Sequence, residues 1–220
     1  MIDSFAAHVD RVLLSSGRTG CERLLATIWG GLVYGAVMGS FGFVAGERSL
    51  QVLYSAVKVP LLLGTTTLIA LPSYFVVNTI GGLRNDFAQA LRALFATQAA
   101  VSVILASLAP FTAVFYLCQN DYHEATIFNG IMFFVASMSG QWVLRRHYAT
   151  LIAGNRRHRT MLRLWIGLYS FVGIQMGWVL RPFIGDPGAP TTFFRESAWG
   201  NAYVIVCELV WRSAKEWMAR

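Results

Sequence analysis

Lys58, Asp121, Glu124, Arg181 and Asp186 border or enter the long apolar stretches of this chain on what reads as one side of a membrane. Charges gathered at one level have two uses. They pair into a collar that locks helix ends, or they line a vestibule that selects ions. The collar is the simpler reading. Lys58 is its unusual member, standing in SAVKVPLLL with apolar residues on both sides. DYHE at 121–124 has the donor atoms for a cation, and equally the composition of a solvated loop.

Other chemistry is sparse. There is no GxSxG, HExxH, P-loop or GxGxxG motif. No Asp or Glu lies deep in the apolar stretches, where proton relays usually need one. His8, His123, His147 and His158 fall in separate loops or tails, so no metal or haem pair is expected within the membrane. Cys21, Cys118 and Cys207 form neither CxxC nor zinc spacing. Cys118 and Cys207 share a side of the membrane, which leaves a disulfide open. The expectation is a non-enzymatic protein with no catalytic, cofactor-binding or metal-binding residues and no cofactor. Asn78, Gln98, Ser102, Asn129, Gln141 and Gln175 lie within apolar stretches and are expected to cross-link helices, for about 0.6 kcal/mol each.

The elements that must carry these residues follow from composition. Of 220 residues, 55% are hydrophobic and 13% charged, against about 25% charged in a soluble domain. Mean hydropathy is +0.51. Several uncharged windows reach the roughly 20 residues that cross a bilayer. The pattern predicts an all-α, polytopic transmembrane helical bundle with spans at 24–45, 57–80, 93–118, 125–144 and 164–180. The whole of 1–220 reads as one membrane domain: a cytoplasmic amphipathic segment at 1–23, a five-span bundle at 24–180, and an outer-face loop and interfacial helix at 181–220. In the first segment Ile2, Phe5, Ala6, Val9 and Leu13 recur at helical spacing, on the membrane surface or docked on the protein's own loops. Asp3, Asp10 and Arg11 interrupt it, so it is not a signal peptide. The tail NAYVIVCELVW contains Glu208 and precedes Arg212 and Lys215, which favours an interfacial helix over a sixth span.

The net charge of +7 is read as orientation, not as an affinity for nucleic acid. Residues 144–164 hold Arg145, Arg146, Arg156, Arg157, Arg159 and Arg163 with no acid, whereas CQNDYHEA before the fourth span holds no Lys or Arg. The positive-inside rule places the arginines in the cytoplasm, the N-terminus with them, and the C-terminus on the outer face. The arginine run also suits anionic lipid head groups or an acidic partner. Arg181 then falls outside. The helix dipole, snorkelling and Pro182 account for it, with Asp186 the nearest candidate partner.

Gly31, Gly35 and Gly39, followed by Gly42 and Gly46, make a groove down the first span, and Gly173 and Gly177 repeat the device in the fifth. Such faces let backbones approach closely, within one chain or between copies. Pro60 and Pro72 are expected to kink the second span, with Thr65, Thr66 and Thr67 re-satisfying the freed carbonyls.

YGAVMGS, KVPLLL, LPSYFVVN, SLAPFTAVFY and FVGIQMGWVLRPFIGDPGAPTTFFRE…GNAYV resemble recurring motifs of a group of bacterial five-span integral membrane proteins of unestablished function. The resemblance covers roughly residues 30–206, and a much looser similarity of hydropathy links the chain to Yip-type proteins. It implies a five-span fold in a bacterial inner (cytoplasmic) membrane and supplies no activity or site residue. The leading functional expectation is an accessory or scaffold subunit of a membrane complex, with membrane lipids and other membrane-protein subunits or itself as partners. The alternative is a small homo-oligomeric channel or transporter with an outer charged vestibule.

Overall fold

The computed structural model describes residues 20–42, 49–185, 190–194 and 203–204. The described chain is helical: α1 (Gly20–Gly39), α2 (Ser49–Ile80), a 3-10 turn (Arg84–Asp86), α3 (Phe87–Cys118), α4 (Tyr122–Gly154) and α5 (Arg157–Val179). Three segments, Ser49–Ile80, Arg84–Cys118 and Tyr122–Gly154, are long and apolar enough to cross a membrane. A helix of 32 residues such as α2 is about 48 Å long, against a hydrocarbon core of about 30 Å. Residues 1–19 of the amphipathic segment expected at 1–23, Gly46, Asp186, Cys207 and most of the C-terminal helix lie outside the described residues.

The arginine-rich stretch 144–164 departs from the loop expected of it. α4 continues to Gly154, and α5 begins at Arg157 after a two-residue turn. Tyr148, Leu151, His158, Met161 and Leu162 are buried at helical spacing, while the six arginines are exposed. The charges therefore form the outer face of two amphipathic helix ends. Asn155 makes the turn: its Oδ1 accepts from the Arg157 backbone N–H at 3.0 Å.

α1 is wedged between α2 and α3, α4 packs on α3, and α5 packs on α2. The glycines of α1 explain the wedge. A Cβ at Gly35 would lie 2.3 Å from the Ser55 carbonyl oxygen, one at Gly39 2.7 Å from Ser55 Cβ, and one at Gly31 3.0 Å from the Pro60 ring. Gly30 meets α3 instead, 2.6 Å from the Ser102 carbonyl oxygen. Gly42 does not extend this face, because it sits in the turn after α1 with φ +64°. Gly177 also departs from expectation. A Cβ there would meet nothing within 4 Å, and at Gly173 only Thr66 Cγ2 at 3.5 Å.

The threonines of α2 do something other than rescue proline-freed carbonyls. Prolines at 60 and 72 free the carbonyls of residues 56 and 68. Thr65 and Thr67 donate to the carbonyls of Leu61 at 2.7 Å and Leu63 at 2.8 Å, and Thr66 Oγ1 is buried without a partner.

Candidate functional site

The buried face of α2 is where polar side chains gather. Seven of its eleven buried residues carry a polar group: Gln51, Ser55, Lys58, Thr66, Thr67, Tyr74 and Asn78. Its exposed face is apolar, with Leu50, Leu53, Val57, Leu61, Leu68, Ile69, Phe75, Val76 and Ile80. A soluble helix has the opposite polarity. In a membrane this arrangement puts hydrocarbon against hydrocarbon and keeps the polar groups for protein partners.

At one end, α2 grips the segment that follows α5. Lys58, fully buried, donates from Nζ to the Pro182 carbonyl at 2.6 Å and lies 4.9 Å from the Phe193 ring centroid. One turn earlier Ser55 donates to the Phe183 carbonyl, and Gln51 Nε2 donates to the same carbonyl at 3.2 Å. Residues 51, 55 and 58 share one helix face, so three donors meet two successive carbonyls. The Arg181–Pro182 peptide is cis. Gly185 completes the fit: a Cβ there would lie 2.7 Å from Gln51 Cγ. The Gly35 and Gly39 face of α1 presses on the other side of Ser55 and Gln51.

Among the described residues this geometry stands where the charge collar was expected, and Asp186 lies outside them. Among the described residues no ion pair joins Lys58, Asp121, Glu124 and Arg181. Lys58 points into the protein, because backbone carbonyls and a ring are within reach there. Asp121 caps α4, accepting from the backbone N–H groups of His123 at 2.7 Å and Glu124 at 3.1 Å. Glu124 accepts from Gln119 Nε2. Arg181 is exposed, with its guanidinium 4.7 Å from the Trp178 ring centroid. Cys21 and Cys118 are exposed free thiols.

Polar pins join the remaining helices. Tyr34 on α1 donates to Asn129 Oδ1 on α4 at 3.0 Å, and Asn129 Nδ2 donates to Tyr116 Oη on α3 at 2.6 Å. Ser102 on α3 donates to the Thr27 carbonyl on α1. Tyr169 on α5 donates to Gln98 Oε1 on α3 at 3.0 Å. The Tyr74 and Tyr148 hydroxyls bond α2 to α4. Of the expected cross-linkers, Gln98, Ser102 and Asn129 act as such. Asn78 does not, since neither amide atom has a protein partner.

A second polar cluster lies at the arginine-bearing end and was not expected from the sequence. His158, on the first turn of α5, is 1% exposed, and its Nε2 is 3.0 Å from Asp86 Oδ2. Its ring centroid is 6.4 Å from that of Tyr148. His158 looked like a loop residue because the α5 start was placed seven residues too late. Met161, Leu162 and Trp165, buried at helical spacing beyond it, were the available signal. Among the described residues no group of three His, Cys, Asp or Glu is placed to hold a metal. Comparison of the chain with protein-family models, with curated proteins and with solved structures gives no match.

Proposed function

We propose that the chain is a multi-pass protein of a bacterial inner membrane, with α1 to α5 as five spans, the N-terminus in the cytoplasm and the C-terminal segment outside. In this reading the exposed arginines of the α4–α5 turn face the cytoplasm, and Asp121 and Glu124 face outward. The protein acts there as a non-enzymatic accessory or scaffold subunit, with lipids and other membrane subunits as its partners.

The observation that carries the reading is the set of interhelical pins. Tyr34–Asn129, Ser102–Thr27, Tyr74–Tyr148 and Tyr169–Gln98 tie all five helices to one another. A transporter must break and remake helix contacts as it cycles, whereas fixed cross-links suit a part that holds its neighbours in place. Native mass spectrometry of the tagged protein, extracted gently from its own membranes, tests this. A heteromeric complex that loses integrity in a clean deletion strain is expected. Unchanged assembly of every co-purifying complex in that strain overturns the proposal.

One observation favours the channel or transporter alternative. Lys58 is a buried cation on a span-length helix with no carboxylate at ion-pair distance among the described residues, and intramembrane charges commonly mark a transport path. Ion flux from reconstituted vesicles that changes selectivity in Lys58→Gln supports it. No flux from folded, reconstituted protein removes it.

A further inference from the structure

The arginine-bearing end of the bundle contains a circuit of neighbouring polar groups, linked by hydrogen bonds, one ring contact and one helical turn. Asn78 is buried on the last turns of α2, and its carbonyl accepts from the Leu83 N–H at 3.0 Å. The Leu83 carbonyl accepts from the Asp86 N–H at 3.1 Å. The Asp86 carboxylate meets His158 Nε2 at 3.0 Å. The His158 ring adjoins that of Tyr148, whose hydroxyl bonds Tyr74. Tyr74 lies one helical turn before Asn78, which returns the circuit to its start.

Three buried atoms on this circuit have no protein partner: Asn78 Oδ1, Asn78 Nδ2 and His158 Nδ1. Each belongs to a residue no more than 1% exposed. They sit on different elements, α2 and α5. Elsewhere Thr66 Oγ1 and Gln141 Oε1 are single buried atoms without a partner, whereas here an amide lacks partners on both of its atoms. Asn129, buried in the other half of the bundle, uses both amide atoms on protein partners. Buried amides and imidazoles without partners are rare, and ordered water usually completes them.

The chemistry of the three atoms selects the guest. The Nε2 side of the ring is taken by Asp86, which leaves Nδ1 as the ring atom without a protein partner. Asn78 offers one acceptor and two donor hydrogens. A guest that serves both residues must donate and accept at small size. We propose that this end of the bundle is an internal hydration site, where water molecules complete Asn78 and His158. Asp86 gives it an outlet, because that carboxylate is 46% exposed. The buried Tyr74–Tyr148 hydroxyl pair, on two span-length helices, lies beside this site through the Tyr148–His158 ring contact.

Radiolytic hydroxyl-radical footprinting of the full chain in nanodiscs tests this, since radicals form from water beside the labelled side chain. Tyr148 and Tyr34 are matched probes, both fully buried and both hydroxyl-bonded. Tyr148 should be oxidised several-fold faster than Tyr34. Equal, background rates at the two tyrosines overturn the proposal. Asn78→Leu should bring Tyr148 down towards the Tyr34 rate and leave Tyr34 unchanged. An unchanged Tyr148 rate in folded Asn78→Leu removes Asn78 from the site. If that variant fails to fold, the wild-type comparison still decides.

Discussion

Replacing Gly35 by Ala tests whether the α1–α2 contact is as close as the structure places it. The added Cβ would lie 2.3 Å from the Ser55 carbonyl oxygen, 2.8 Å from Ala56 Cα and 2.9 Å from the Ser55 carbonyl carbon. All three are backbone atoms, so no rotamer change relieves the clash. Reaching an ordinary contact of 3.4 Å displaces one helix by about 1 Å. A gap of that size forfeits about a quarter to a half of each contact's dispersion energy along the seam. Overpacking of this kind costs about 1–3 kcal/mol. The Gly-to-Ala gain in helix propensity returns at most about 1 kcal/mol. A clash with backbone on all sides takes the upper end of that range, so the net loss should be about 2 kcal/mol, or about 4–8 °C in midpoint for a chain of this size. Gly177→Ala is the internal control: nothing lies within 4 Å of its new Cβ, so only the propensity gain of up to about 1 kcal/mol remains. Heating both variants in one detergent and measuring the monodisperse fraction by size exclusion gives the comparison. A Gly35→Ala protein that melts at or above wild type would refute the close approach and the argument built on it.

Other predictions follow the same geometry. Lys58→Met should leave the Pro182 carbonyl without its donor, cost about 1–3 kcal/mol, and expose residues 181–194 to limited proteolysis that wild type resists. A double-mutant cycle on Tyr34→Phe and Asn129→Ala should give a coupling of about 0.6 kcal/mol, rising to at most about 1.7; a null coupling would mean that the two side chains do not meet across α1 and α4. In a Cys207→Ser background, a membrane-impermeant maleimide added to intact cells should label Cys118 and spare Cys21, as both thiols are exposed at opposite ends of the bundle. The reverse pattern would invert the proposed orientation. Arg156, Arg157 and Arg159 changed together to Gln should weaken binding to anionic vesicles more at low salt than at high salt, by about 1 kcal/mol per arginine near the surface.

The helical class and three of the five expected span-length segments were legible because both rest on periodicity and length. The glycine face of α1 was legible for a related reason: Gly31, Gly35 and Gly39 stand on one face whatever the partner. The partner, α2, was not. Hydropathy averages over a helix's two faces, so Leu53, Leu61 and Leu68 concealed the inward row of Gln51, Ser55, Lys58 and Thr66. Lys58 was singled out by its setting, but a sequence gives no direction to a side chain, and the collar assumed it pointed out to water. Among the described residues Arg181 and Glu124 make local contacts instead. Each has a local partner within five residues, Trp178 and Gln119, and local contacts form at less entropic cost than contacts across a bundle. The His158–Asp86 pair spans 72 residues and depends on where a turn falls, which the charge pattern obscured.

The bond from Lys58 to Pro182 joins residues 124 positions apart, and this sets an order of events during synthesis. Ribosomes deliver about 5–20 residues per second, so Lys58 leaves the exit tunnel roughly 6–25 s before its acceptor. Through that interval α2 has its polar face made and its closing segment unmade. A chain interrupted before residue 182 carries an ammonium in the bilayer with no carbonyl to receive it, a state that costs several kcal/mol. This late contact is therefore also a completeness check: only the chain that has been read through to residue 182 has a place for its buried cation.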